Sequence, residues 1–90
     1  MYNSKSSISE TISLMSTRSM ALRKKQGITQ EQLATAAQVS LSSVKRYEQS
    51  GTISLGSLLK VAAVLGRLED FNKLFQLDSL DKKIEKKFDI

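Results

Sequence analysis

Three helix-start signals follow one another closely in the middle of this sequence. Thr29 is followed three residues later by Gln32, which is the spacing of a capping box. Ser40 and Ser54 are the next N-cap residues, and each precedes a stretch with apolar residues at helical spacing. Because each helix must end before the next cap, this part of the chain can form only short helices. Two of them, joined by the residues "QVS", predict a helix-turn-helix.

A longer helix is predicted before this motif, over residues 11–26. Apolar residues at roughly helical spacing lead into the segment "RSMALRKKQG", where basic residues crowd the last turn and Gly27 follows. Cations stabilise the negative end of a helix dipole, and glycine suits the left-handed conformation that ends many helices. Within the motif itself, the third helix is predicted from Leu41 to about Gln49.

Two further helices are predicted after Ser54. The stretch "LGSLLKVAAVLG" is apolar around much of its circumference, which is typical of a helix buried on more than one side. It is either a central core helix or a core helix with one flank on a second subunit. The stretch "LEDFNKLFQL" has its apolar residues on one face, namely Leu68, Phe71, Leu74 and Phe75. The expected fold class is therefore all-α with five helices.

The ends of the chain are patterned more weakly than its middle. We expect a flexible N-terminal arm over residues 1–10, one domain over residues 11–77 and a C-terminal tail over residues 78–90. The tail has Leu80, Ile84 and Phe88 at helical spacing, which favours a short amphipathic helix. Packing across a dimer and disorder remain alternatives for it, because an isolated helix of this length is marginal in water.

Composition excludes several kinds of function. The 90 residues include no cysteine and no histidine, so no disulfide, zinc site or ordinary catalytic dyad is expected, and the chain is read as a non-enzyme without a cofactor or metal. The longest apolar run, residues 61–65, is too short to span a bilayer, and the Ser-rich start lacks the apolar core of a signal peptide. These features predict a cytoplasmic protein without membrane segments.

The positive charge is concentrated in the first half of the chain. The net charge is +5, and residues 18–52 carry six basic and two acidic residues, a balance of +4, whereas residues 68–90 carry five lysines and six acids. A polyanion such as DNA is the natural partner of such a surface, although a solvated, solubilising surface has the same composition.

The predicted third helix has one face suited to the major groove of DNA. If the stretch is helical, Val44 and Tyr47 point inward, and the outward side carries Leu41, Ser42, Lys45 and Arg46. Small residues permit close approach to the bases, and long cationic side chains can reach guanine or phosphate. The alternative is that Lys45 and Arg46 are ordinary solvated charges.

The segment "GITQEQLATAAQVSLSSVKRYEQSG" resembles the helix-turn-helix of the Xre, or lambda-repressor-like, family of bacterial and phage regulators. The similarity extends over about residues 20–75 and implies the five-helix lambda-repressor-like fold and binding to double-stranded DNA. Its features are Gly27, Thr29, Gln30, Leu33, Ala34, Val39, Ser40, Val44 and Glu48. Ser19 departs from the pattern, since the family usually has an aliphatic core residue there.

The resemblance also implies roles for individual residues. Gln30 matches a phosphate-binding position, and Arg23 and Glu48 match positions that form an ion pair between the first and third helices. The base-reading positions fall on Leu41, Ser42, Lys45 and Arg46. Phosphate contacts, partly through backbone N–H groups, are implied for the turn residues Gln49, Ser50, Gly51 and Thr52.

The turn "QSGTISL" is one residue shorter than the common family version. Together with the following helices it resembles the HipB-like antitoxins, which are encoded beside HipA-type kinase toxins. This implies a homodimer that binds an inverted-repeat operator in its own promoter and forms a larger repressing complex with a HipA-like kinase toxin. A stand-alone, phage-like repressor without a toxin partner is the open alternative, and a pure protein-interaction module is a further one.

Overall fold

The computed structural model describes residues 7–78, which form five helices. They are α1 (Ile8–Lys25), α2 (Gln30–Ala37), α3 (Leu41–Ser50), α4 (Leu55–Val64) and α5 (Leu68–Asn72). The described residues contain no strand, so the predicted all-α class and the helix count are confirmed. No helix among these residues combines the length and the apolar character that crossing a membrane requires.

The three predicted caps begin the three middle helices. Thr29 and Gln32 form the expected capping box, with the Gln32 N–H donating to Thr29 Oγ1 at 3.0 Å and the Thr29 N–H donating to Gln32 Oε1 at 2.9 Å. Ser40 accepts from the Ser43 N–H at 3.0 Å, and Ser54 accepts from the Ser57 N–H at 3.2 Å. Side-chain acceptors thus satisfy N–H groups that have no partner inside the helix.

The first helix starts earlier than predicted. It begins at Ile8 instead of residue 11, because Ser7 and Glu10 form a second capping box. Residues 8–10, which were expected in the flexible arm, are therefore helical. The rest of that arm, residues 1–6, and nearly all of the predicted tail, residues 79–90, lie outside the described part of the chain.

The core lies where α2, α3 and α4 meet. Leu33, Val44 and Val61 are its largest fully buried side chains, each 1–2% exposed. Ala34 and Ala37 are also buried, and these small residues let α3 and α4 pack close to α2. Burying one such aliphatic side chain stabilises the fold by roughly 1.5–3 kcal/mol, so this cluster fixes the position of α3.

The last two helices leave more apolar surface exposed than predicted. On α4, Val61 is buried but Leu55 is 68% exposed, so residues 7–78 cover only one side of this helix. The predicted apolar face of α5 is not formed, because the helix ends at Asn72. Leu74 and Phe75 lie beyond it and are 53% and 97% exposed, and Phe75 has a positive φ of 63°.

Candidate nucleic-acid interface

Helix α3 has a buried side and an exposed polar side. Val44 and Tyr47 are 1% and 4% exposed, which confirms the prediction that they face inward. Ser42, Lys45 and Arg46 are exposed on the other side. Short hydroxyl-bearing and long cationic side chains are therefore placed together on the helix face opposite the core. This combination suits contacts with base edges in the major groove.

Leu41 is less exposed than the sequence pattern suggested. It is half-buried and packs against the core cluster, so one side of its side chain has a structural role. Its remaining surface lines a shallow groove between α2 and α3. The other residues of this groove are Thr29, Gln30, Glu31 and Lys45.

Arg23 and Glu48 lie together and join α1 to α3. Arg23 Nε donates to Glu48 Oε2 at 2.6 Å, and its NH2 group donates to Glu48 Oε1 at 3.0 Å. The NH1 group donates to the backbone oxygen of Ile28 at 2.8 Å. Both charged side chains are less than 10% exposed, so the pair orients α3 without changing the charge of the surface.

Gln30 is held by the same carboxylate. Its Nε2 donates to Glu48 Oε1 at 2.9 Å, so Glu48 connects all three of the first helices. The side chain of Gln30 is half-buried at the start of α2. A phosphate contact by Gln30 would therefore use its second amide hydrogen or its backbone.

The turn after α3 is partly committed to internal hydrogen bonds. Gly51 is the left-handed C-cap with φ 79°, and its N–H donates to Tyr47 O at 2.8 Å. This N–H is therefore not available to a phosphate, which limits the predicted role of Gly51 to permitting close approach. Ser50 Oγ donates to the backbone oxygen of Arg46 at 2.9 Å. Within residues 7–78, the N–H of Thr52 has no backbone partner, so Thr52 remains a candidate donor.

Ser19 makes a polar contact where an aliphatic residue was expected. Its Oγ lies 3.1 Å from the hydroxyl of the buried Tyr47. Ser16, on the same side of α1, is also buried, at 5% exposure. Hydroxyl groups and the Arg23–Glu48 pair thus supply the polar contacts between α1 and α3, and no buried side-chain N or O atom of the described residues lacks a partner.

Two residues near the interface were not singled out from the sequence. Ile12 packs against Gly51, where a Cβ atom would overlap Ile12 Cγ2. Glu31 lines the α2–α3 groove and is the only exposed acid between residues 18 and 52, since Glu48 is paired and largely buried. The sequence does contain a signal for Glu31, because this residue is an isolated acid inside a basic segment.

Residues 7–78 contain no group of three or more potential metal-ligating acids, histidines or cysteines. The exposed cations of the helix-turn-helix segment remain its main chemical feature, and they are Arg18, Lys24, Lys25, Lys45 and Arg46.

The comparison with known families agrees with this geometry. A helix-turn-helix family model matches residues 20–71, which include the end of α1, all of α2, α3 and α4, and most of α5. Neither a curated protein nor a solved structure matches the chain. The part of α1 before residue 20, which carries Ile12, Ser16 and Ser19, lies outside the matched segment.

Proposed function

Because the chain belongs to the Xre, or lambda-repressor-like, helix-turn-helix family and is a DNA-binding transcription regulator, we propose that it is a sequence-specific repressor. It binds double-stranded DNA in the cytoplasm as a homodimer on an inverted-repeat operator. The observation that carries this proposal is the outward face of α3, where Ser42, Lys45 and Arg46 are exposed above a buried, capped and hydrogen-bonded underside.

The proposed base contacts come from α3. Lys45 and Arg46 supply donors for guanine, Ser42 permits close approach, and the exposed part of Leu41 contacts a thymine methyl group. Phosphate contacts come from Gln30, from the Thr52 N–H and from the exposed side chains of Gln49 and Ser50, which the structure places in the last turn of α3 and not in the turn after it. Gly51 only permits the close approach of the backbone. Arg23 and Glu48 hold α3 against α1 and touch no DNA.

A dimer follows from the symmetry of the proposed operator. Two copies of α3 would enter successive major grooves about 34 Å apart on one side of the duplex. Exposed apolar residues available for contact with a second copy are Leu55, Leu68, Leu74, Phe75 and Leu77.

We further propose that the regulator is the antitoxin of a HipA-type kinase toxin and represses its own operon. The short link between α3 and α4 supports this assignment, because only Gly51 to Ser54 separate the two helices. A stand-alone repressor of the phage type needs the same DNA interface and no toxin. Co-purification of the protein with a kinase-like product of the adjacent gene would separate the two alternatives.

In vitro selection from a randomised duplex pool tests the regulator proposal. We expect the wild-type chain to enrich a two-fold symmetric sequence and to bind it with two protomers per duplex, as measured by analytical ultracentrifugation. Enrichment of no sequence would remove the repressor and antitoxin assignments together. Enrichment of a single half-site bound by one protomer would remove the dimer.

A further inference from the structure

The shallow groove between α2 and α3 brings an acidic and a basic side chain to the same side of the molecule. Glu31 is on the first turn of α2 and Lys45 is in the middle of α3, and both are exposed. Leu41 and Gln30 lie in the same groove. The groove therefore joins the proposed base-reading residues to the proposed phosphate-binding residue.

Glu31 is the one exposed acid of residues 18–52. The other carboxylate of this segment belongs to Glu48, which is paired with Arg23 and largely buried. Glu31 lies in the first turn of α2, where the helix dipole favours an acid, and it has no ion-pair partner among residues 7–78. It therefore presents a negative charge on the side where a polyanion is proposed to bind. A carboxylate near phosphates weakens sequence-independent binding, which depends mainly on charge.

The two groove side chains are not locked together in the free protein. Ion pairs within 4.0 Å among residues 7–78 join Arg23 with Glu48 and Arg67 with Asp70. A lysine ammonium on a flexible four-carbon stem can turn toward a base edge or toward a phosphate. A nearby carboxylate favours those positions of the ammonium that lie over the groove.

We propose that Glu31 is a specificity-determining residue that keeps the Lys45 ammonium over the base edges and away from the phosphates. This inference rests on the proposed function and deepens it. Specificity is a difference between two affinities. Phosphates are the same on every sequence, so repulsion of phosphates by Glu31 lowers both affinities alike. The difference arises from Lys45, because an ammonium held over the base edges contributes to binding of the selected sequence and not to contacts that every sequence offers.

The test compares two duplexes and four variants. The duplexes are the sequence selected by the wild-type chain and a scrambled duplex of the same length and composition. The variants are Glu31→Gln, Glu31→Asp, Lys45→Met and the double variant Glu31→Gln with Lys45→Met. Glu69→Gln is the matched control, because it removes the same charge from an exposed residue on α5, which packs against α4.

Glu31→Gln is expected to tighten binding to the scrambled duplex several-fold and to steepen its salt dependence by about one in the log–log slope. The ratio of affinities for selected and scrambled duplexes should fall about fivefold or more, the low end of the discrimination given by one base contact. Glu31→Asp and Glu69→Gln should leave the ratio within about twofold of wild type. In a chain that already carries Lys45→Met, Glu31→Gln should no longer change the ratio of affinities, because the effect of one coupled residue depends on the presence of the other.

Three results would overturn the assignment of Glu31. The first is that Glu31→Gln leaves the ratio of affinities unchanged, and the second is that it changes the ratio equally with and without Lys45. The third is that Glu31→Gln weakens binding to both duplexes and lowers the melting temperature, which would indicate a structural role at the start of α2. A wild-type chain that prefers no duplex would instead overturn the proposed function itself.

Discussion

Arg23 and Glu48 form a bidentate ion pair that ties the last turn of α1 to the last turn of α3, with 2.6 Å between Arg23 Nε and Glu48 Oε2. The same carboxylate accepts a hydrogen bond from Gln30 on α2. The orientation of α3 relative to both preceding helices therefore depends on one buried carboxylate.

Removing that carboxylate should destabilise the fold strongly. We expect Glu48→Leu to lower the free energy of unfolding by about 3–5 kcal/mol, because the Arg23 guanidinium would stay buried without its partner. Urea unfolding followed by circular dichroism measures the change. Asp70→Ala is the control, since the Arg67–Asp70 pair is more than half exposed and should contribute at most about 1 kcal/mol. Equal losses for both variants would contradict the structural role of the buried pair.

Gly51 and Gly56 should respond in opposite ways to alanine. Gly51 has φ 79° and a Cβ atom there would overlap Ile12 Cγ2, so Gly51→Ala should lower the free energy of unfolding by about 1–3 kcal/mol. Gly56 lies in the first turn of α4, and an added Cβ would meet nothing within 4 Å besides the adjacent backbone of its own helix. Gly56→Ala should therefore raise the free energy of unfolding by about 0.5 kcal/mol, the low end of the gain in a helix interior. Thermal and urea unfolding of the two variants compare them directly. A neutral Gly51→Ala would mean that Ile12 does not pack against this turn.

The contact between Ser19 and Tyr47 should be measurable as a coupling. Ser19→Ala and Tyr47→Phe should each lower the free energy of unfolding by about 1 kcal/mol, because each removes one partner of a partly buried hydrogen bond. The double variant should lose about 0.5–1.5 kcal/mol less than the sum of the two single losses. Strict additivity would show that the two hydroxyl groups do not interact.

The start of α1 should depend on pH. The Ser7 backbone N–H donates to Glu10 Oε1, and this bond, aided by the Ser7 hydroxyl, lowers the pKa of Glu10 below its ordinary value of 4.5. Because the pKa is lowered in the folded state, the ionised carboxylate stabilises the first turn of α1 fully above pH 4.5. This stabilisation is lost as the pH falls below 4.5 and through the folded pKa.

Amide chemical shifts of residues 8–11 should report this change as fraying of the first turn. Glu10→Gln, which keeps a side-chain acceptor but does not titrate, should remove the pH dependence in that range. An unchanged first turn across the titration of wild type would contradict the second capping box.

Local signals predicted the starts of the middle helices. Thr29, Ser40 and Ser54 act within three residues along the chain, so their hydrogen bonds can be inferred from spacing alone. The same kind of signal was present in Ser7 and Glu10, but the surrounding serines made this stretch resemble an unstructured arm. The early start of α1 was therefore missed although its cause is local.

The features that depend on tertiary packing could not be derived from spacing. The half-burial of Leu41 depends on how α3 sits on its neighbours. The bond from Gln30 to Glu48 links residues 18 positions apart and depends on the turn between α2 and α3. That turn is closed by Gln38, a non-glycine residue with φ 58°, which no cap pattern predicts.

The most direct test of base reading by α3 compares the DNA affinities of the wild-type chain and of Arg46→Ala. The duplexes are the selected sequence, its single-base variants and the scrambled sequence, and fluorescence anisotropy measures each affinity across a salt series. Lys60→Ala, which removes an exposed lysine from α4, is the control. We expect wild type to prefer the selected duplex by about 10³-fold or more. Arg46→Ala should lose about 1–3 kcal/mol of discrimination at one base position of each half-site. Equal affinity of wild type for all duplexes, or an equal loss by Arg46→Ala on every one of them, would contradict base reading by α3.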